Sequence, residues 1–292
     1  GRSALDGSLT WALAGLALDL PGSLEFALTG SVTGLSVTAD PVAITGAAGF
    51  TLMRQTVDVD TDGNGAADLI GATLDALALN LTGATVTITD VATLTVSGHL
   101  ALATVTPAGG TVRYTALKMG AVTVSGGLDP SLGIQLSATI TIGALDYNSA
   151  TNPTNPTAAK RLDWGRAFDL DGDGAFDDAL NPGAGLPTPA ELTIDFASSL
   201  QLRLTGTLTG TGVVGTNVDA IPDNAILTVG PLQVTGTAGF ALTMLTVDAD
   251  TDGNGTADLM GATLTGLALD VSGAGVSIED VAALQVSGRL GI

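Results

Sequence analysis

The chain has no cysteine, one histidine, and aromatic residues at only 3% of its 292 positions. The first absence excludes disulfides, thiolate metal sites and cysteine nucleophiles. It does not exclude life outside the cell, because a chain of this length buries a core without cross-links and bound cations can take their place. With His99 as the only histidine, no Ser-His-Asp set can be assembled with confidence. Basic residues are also scarce, 9 against 29 acidic ones, and the resulting charge of −20 repels a polyanion, so no nucleic-acid partner is expected. Long hydrophobic runs are missing too. Mean hydropathy is +0.45, yet Thr, Ser, Asp and Gly interrupt every apolar stretch before 18 residues, and no membrane span is expected.

What is abundant is small or β-branched: 40 glycines, with Ala, Leu, Val and Thr filling most of the rest. The branched ones suit a pleated surface. Period-two alternation bounded by turn residues predicts strands at 16–20, 24–28, 35–38, 77–81, 84–89, 92–96, 111–114, 137–142, 192–196 and 200–204.

The acid is concentrated. Asp58, Asp60, Asp62 and Asp68 lie in one stretch of eleven residues that returns 190 residues later with Asp248, Asp250, Asp252 and Asp258. A third version carries Asp169, Asp171, Asp173, Asp177 and Asp178, and the shared pattern is DxDG[ND]GxxD. These loops hold 13 of the 29 carboxylates. A hard cation such as calcium takes six to eight oxygens, and a short loop supplies them when alternate side chains turn inward. Counting from Asp60, the positions of an EF-hand-type loop are met by Asp62 and Asn64, a turn at Gly65, the Ala66 carbonyl, and Asp68. The same reading assigns Asp250, Asp252, Asn254, Thr256 and Asp258 in the second loop, and Asp169, Asp171, Asp173, Ala175 and Asp177 in the third. Asp58, Asp248 or Asp178 is expected to complete the shell. The bidentate Glu at position twelve is missing, since Gly71, Gly261 and Leu180 stand there, so no EF-hand helix pair is implied. Magnesium fits less well because it keeps its waters. The plain alternative is a solvated Asp/Gly/Asn turn; three copies of equal spacing favour the cation, and three calcium ions would bring the charge to about −14. These loops resemble those of dockerins, thrombospondin repeats and integrin propeller blades, where the helix pair is incomplete or absent.

A second signature, an apolar residue, a spacer, Val or Ile, Thr or Ser, then Gly, ends at Gly46, Gly98, Gly126, Gly236 and Gly288, each expected to close a strand at a turn. Gly46 to Gly98 and Gly236 to Gly288 both span 52 residues, so a block containing one acidic loop is duplicated. Three segments follow: a β-rich unit at 1–148, a Pro/Asn-rich connector with the third acidic loop at 149–190, and a second β-rich unit at 191–292. Gly1-Arg2-Ser3 reads as a processed or arbitrary end, and Arg289-Leu290-Gly291-Ile292 stops part-way through the strand that continues as His99-Leu100-Ala101 in the first copy. A piece of a longer protein with a unit near 190 residues is expected.

The acidic loops together with strand ends such as Val96-Ser97-Gly98 and Val234-Thr235-Gly236 resemble the repeat modules of giant calcium-dependent bacterial surface proteins of the adhesin type. The nonapeptide GGxGxDxUx of RTX β-rolls is absent. The resemblance implies an extracellular structural or adhesive role, with calcium as cofactor and neighbouring copies or surface glycans as partners. The expected fold is all-β, elongated and repetitive, a β-solenoid favoured over tandem β-sandwiches. No enzyme is expected: Arg289 stands where the first copy has His99, and no acid pair suited to glycoside hydrolysis stands out. A calcium-dependent carbohydrate or ice binder is the competing class, with Trp11, Trp164 or Thr85-Val86-Thr87-Ile88-Thr89 as contact surfaces. Burial of both tryptophans and solvated faces for the Thr-rich strands are the preferred readings, and Asp90 and Asp280 read as matched turn or cap residues with calcium ligation as the alternative.

Overall fold

The computed structural model describes residues 8–13, 16–39, 42–89, 92–128, 135–152, 154, 159–211, 225–278 and 281–292. Thirteen strands run β1 (Ser8–Leu13), β2 (Leu16–Pro21), β3 (Leu24–Ala39), β4 (Val42–Val59), β5 (Leu69–Ile88), β6 (Ala92–Thr106), β7 (Arg113–Leu128), β8 (Gln135–Thr151), β9 (Leu200–Gly210), β10 (Ala225–Val229), β11 (Leu232–Ala249), β12 (Leu259–Ile278) and β13 (Ala282–Gly291). Among the described residues the only helical element is one 3₁₀ turn at Pro182–Gly185, and no helix is long and apolar enough to cross a membrane. β1 and β2 pair with each other, while the other eleven strands make one open antiparallel sheet in which most neighbours are also neighbours in sequence.

This all-β fold is not built as stacked coils. Coils of a β-solenoid pair in parallel, whereas every pairing between described strands is antiparallel, most of them between strands joined by short connections that return the chain beside itself. The strands are also longer than the alternation implied. The Val/Ile-Thr/Ser-Gly signatures lie inside strands rather than at their ends: Gly46, Gly98 and Gly236 adopt φ of +152°, +136° and +126° at register shifts and let the strand continue. Each is a β-bulge, which bends a strand without ending it. A Cβ on Gly46 would lie 2.7 Å from the Ala84 Cα, and one on Gly236 would lie 2.6 Å from the Ala274 Cα. Glycine is therefore required by the neighbouring backbone.

The duplication extends to register. β4 pairs β5 from Val42↔Ile88 to Val59↔Leu69, and β11 pairs β12 from Leu232↔Ile278 to Ala249↔Leu259, each position shifted by 190. It also reaches one strand further than the 52-residue block. Leu28-Thr29-Gly30 of β3 and Leu204-Thr205-Gly206 of β9 lie opposite equivalent partners, with Gly30↔Phe50 and Gly206↔Phe240. β9 and β10 together line β11 as β3 alone lines β4, and residues 211–224 are an insertion between them.

The core lies on one face of β4–β8, beneath a cap formed by residues 159–198. Leu162, Trp164, Phe168, Leu180, Leu186, Leu192, Ile194 and Phe196 pack on Val57, Val59, Ala72, Leu74, Ala101, Ala103, Val105 and Ala116. Small residues on the sheet leave room for large ones above. Burying each large side chain contributes about 1.5–3 kcal/mol. Asn148, itself buried, fixes the cap: its Nδ2 donates to the Leu162 and Ala197 carbonyls at 2.9 and 3.2 Å, and Trp164 Nε1 donates to its Oδ1 at 3.1 Å. Trp164 is thus a fully buried core residue, in line with the expected burial. Residues 192–196 keep their alternation, with Leu192, Ile194 and Phe196 inward, but Ile194 makes only an isolated bridge to Leu180 instead of joining a ladder. Trp11 falls in β1 with its side chain outside the described part, and Asp90 and Asp280 lie outside the described residues.

Candidate metal centres

Each hairpin of the duplicated block ends in an acidic loop, β4 to β5 in the first copy and β11 to β12 in the second. A short tract of Asp, Gly and Asn folds there because its side chains bond its own backbone. Asp60 accepts from the N–H groups of Asp62 and Gly63 on Oδ1 and of Gly65 on Oδ2, at 3.1, 2.7 and 2.7 Å. Asp250 accepts from Gly253 and Gly255 at 2.7 and 2.6 Å, and Asp169 from Gly172 and Gly174 at 2.7 and 3.0 Å. The two glycines of each loop have φ between +75° and +92°, the left-handed region that spares glycine a steric penalty. Ala66, Thr256 and Ala175 follow the second glycine, and their N–H groups donate to Asn64, Asn254 and Asp173 Oδ1.

The loops close alike. The Asp68 N–H donates to the Val59 carbonyl, Asp258 to Ala249, and Asp178 to Phe168, at 2.9, 2.9 and 3.1 Å. Asp68 and Asp258 then accept from the N–H and hydroxyl of Thr61 and Thr251. In the third loop Asp178 takes this role by accepting from the Leu170 and Asp171 N–H groups. The third loop is one residue longer, so the carboxylate that turns back belongs to Asp178, one of the two expected candidates there.

Three carboxylate sets result, Asp60/Asp62/Asp68, Asp169/Asp171/Asp178 and Asp250/Asp252/Asp258, each with ligand atoms within 4.8 Å of one another. Such sets could hold a metal ion. A carboxylate oxygen has two lone-pair directions, so one that accepts an N–H bond can still face a cation. Asp58 and Asp248 are outside these sets; each accepts from the N–H of a left-handed glycine, Gly71 or Gly261, at 2.8 and 2.7 Å, and so holds the start of the following strand. Asn64 and Asn254 sit within their loops, with Asn254 Nδ2 donating to Asp252 Oδ2 at 2.9 Å.

Four of these carboxyl groups are held toward the ionised form by this geometry. Burial pushes Asp60 up, but the N–H groups of Gly65, Gly63, Asp62 and Asn64 outweigh it and hold the group below the usual carboxylate range. The Thr61 hydroxyl and N–H lower Asp68, the Gly255 N–H lowers Asp250, and the Thr251 N–H and hydroxyl lower Asp258.

The first and third loops are neighbours. The Asp60 N–H donates to the Ala167 carbonyl at 3.0 Å and Val59 bridges Phe168, so the cap carries its acidic loop to the first hairpin. Asp58 and Asp169 line a common cleft with Ser23, Thr56 and Phe176. Sequence reasoning missed a second polar site, on β7–β9. The Asp146 carboxylate is fully buried between Lys118 at 3.4 Å and Arg203 Nε at 2.6 Å, directly opposite both in register. The row of three charges on separate strands had no sequence signal, because its members are far apart in the chain. His99 lies opposite Asn80, and its counterpart Arg289 pairs with Asp270 at 3.0 Å.

No known family model matches this sequence, and no curated protein resembles it closely enough to count as a relative.

Proposed function

We propose that this chain is a structural module of a large extracellular bacterial surface or fibre protein, stiffened by calcium in its three acidic loops. The observation that carries the reading is repetition of one geometry: three loops, two of them duplicated and one in an unrelated setting, each gather three carboxylates around two left-handed glycines. Carboxylates so placed repel one another until a cation joins them. Six to eight oxygens are what calcium takes, and three carboxylates, an Asn or Asp side chain and a main-chain carbonyl approach that number with waters. Two loops cap long hairpins and the third ties the cap to the sheet, so a bound ion would stiffen the places where the sheet is joined. Neighbouring copies of the module are the proposed partners.

A calcium-dependent carbohydrate- or ice-binding module is the alternative. The apolar groove lined by Gly143, Gly206, Gly239 and Phe240 contains no residue of the acidic loops, which weighs against ligand contact through calcium there. Calorimetric melting in calcium, in magnesium and in excess EDTA tests the proposal. A ligand that binds only the folded state stabilises it by RT ln(1 + [L]/Kd), about 2.7 kcal/mol at a hundredfold excess over Kd. A calcium-specific rise in melting temperature is expected; equal melting in all three conditions would sink the reading.

A further inference from the structure

The cap covers one face of the sheet. Beneath it the strands present small or polar side chains, among them Ala76, Ala101, Ala103 and Ala116 with the buried Asp146 and Asn148. Alternation turns the large residues of the same strands the other way. Phe50, Leu79, Leu100, Met119, Leu145 and Leu204 stand opposite one another in register across β4–β9, and a second row runs beside them from Leu52 to Met244. None of these side chains is buried, and Leu52 and Tyr147 are 37% and 41% exposed. The Tyr147 hydroxyl is the only oxygen-bearing or charged side-chain group in either row. An antiparallel sheet that turns its second face to water alternates apolar with polar instead.

The apolar area is wide and smooth. Along β6 the positions on this face are Leu102, Leu100, Gly98, Val96 and Leu94. Seven strands, β4–β9 and β11, at about 4.8 Å apart and five positions at about 6.8 Å apart give roughly 1,100 Å². The largest patch on an ordinary monomer is about 300–600 Å², whereas a stable complex buries about 800 Å² on each partner. Phe50 and Phe240 lie down across the sheet: a Cβ on Gly30 would be 3.1 Å from Phe50 Cζ, and one on Gly206 would be 2.6 Å from Phe240 Cζ. The two rings cover the neighbouring strands, which leaves a level surface that a second sheet can meet at about 10 Å. At one border the face turns polar. Beyond Leu52 and Leu77 the Arg54–Asp75 pair lies at 2.6 Å, and Thr104 and Thr115 continue that row across the sheet. An apolar centre with a polar rim is the anatomy of a protein interface.

We propose that this face packs against the same face of a second copy, the two sheets forming a sandwich about a two-fold axis. This deepens the structural reading above and rests on it for the partner being another copy. Charge sets the orientation. β4 and β11 run in the same direction, so both hairpin loops lie at one end of the sheet, and the bond from Asp60 to Ala167 brings the third loop there. An axis across the strands sends the acidic loops of the two copies to opposite ends, much farther apart than the roughly 8 Å over which charge acts in physiological salt. The −20 charge of each copy then opposes pairing little, and pairing does not depend on calcium. Lipid is the poorer occupant. A lipid-facing band of strands is bordered by aromatic girdles, and β5 and β6 contain no aromatic residue.

Sedimentation velocity of the full chain over rising concentration, in calcium and in EDTA, tests this. A dimer is expected in both, with no growth beyond it. Leu100→Asp puts a charge at the centre of the face and should weaken the dimer about a hundredfold. Leu264→Asp, at a side chain 53% exposed on the opposite face, should leave the dimer unchanged. Oxidation by hydrogen peroxide reads the same surface in the unaltered chain and decides the matter if Leu100→Asp does not fold. Met260, 71% exposed, should react quickly, while Met119 and Met244 are protected in the dimer and lose that protection on dilution. A chain that stays monomeric, one that grows past dimer, or a dimer that survives Leu100→Asp would overturn the proposal, as would Met119 oxidised as fast as Met260 at high concentration. Flotation with phosphatidylcholine vesicles would overturn it in favour of lipid. The two readings fail separately: a dimer whose melting calcium does not shift keeps the shared face and loses the calcium sites, and a monomer that calcium stabilises does the reverse.

Discussion

The two copies of the duplicated block share most of their sequence and the same register but have different surroundings. Leu74 in β5 is fully buried, whereas its counterpart Leu264 in β12 is 53% exposed, and Asp60 is 2% exposed where Asp250 is open to solvent. The difference is the cap. Residues 159–198 lie on the first copy and anchor there through Asn148 and Trp164, while the described residues place nothing equivalent over β11–β13. A duplicated strand pattern is therefore enough to set pairing, but burial depends on what the intervening segment covers.

Removing the cap's anchor should erase most of that difference. Trp164→Ala deletes a fully buried ring that packs against Phe168 at 5.7 Å between centroids and leaves Asn148 Oδ1 without its donor. A loss of about 3–5 kcal/mol is expected from denaturant midpoints. The paired variants Leu74→Ala and Leu264→Ala sharpen the contrast. The first should cost about 2–5 kcal/mol by leaving a cavity under the cap, and the second should stay within about 0.5 kcal/mol, as surface changes do. Equal costs would mean that the two faces are covered alike.

A smaller effect concerns acid. Asp60, Asp68, Asp250 and Asp258 are all held below their ordinary values in the folded chain. A group with a lowered folded pKa contributes stability that is present above its unfolded value, about 3.9 for Asp, and that is lost as pH falls through the folded value. Stability in EDTA should therefore be flat from neutral pH to about pH 5 and fall below about pH 4. Asp60→Asn should flatten that acid limb. Loss of stability as pH rises through neutrality would contradict the sign.

The strand content, the duplication and the acidic loops could be read from the residues, because alternation, equal spacing and Asp/Gly/Asn tracts are local signals. The length of the strands could not. Gly98 marks a bulge, and a glycine that admits a neighbouring backbone looks in sequence like one that ends a strand. The kinship of β3 and β9 was hidden by the insertion at 211–224, which breaks the 190-residue interval. The cap was legible only as a Pro/Asn-rich connector, since its order comes from Trp164, Asn148 and Phe196 meeting across long separations. The choice between solenoid and meander depended on strand direction, which composition and period do not encode. Which of Asp177 and Asp178 turns back into the third loop could not be read from spacing, because that loop is one residue longer than the other two.

The central claim is that the three loops are calcium sites of unequal preorganisation. Isothermal titration of the cation-free chain with calcium tests it most directly. The first loop, already held to the cap through Asp60 and Ala167, has less ordering to undergo than the second and should bind more tightly. Three ions per chain are expected, with Asp60→Asn removing a tight phase and Asp250→Asn a weaker one. Absence of binding heat at several temperatures, or titrations that both variants leave unchanged, would contradict the account.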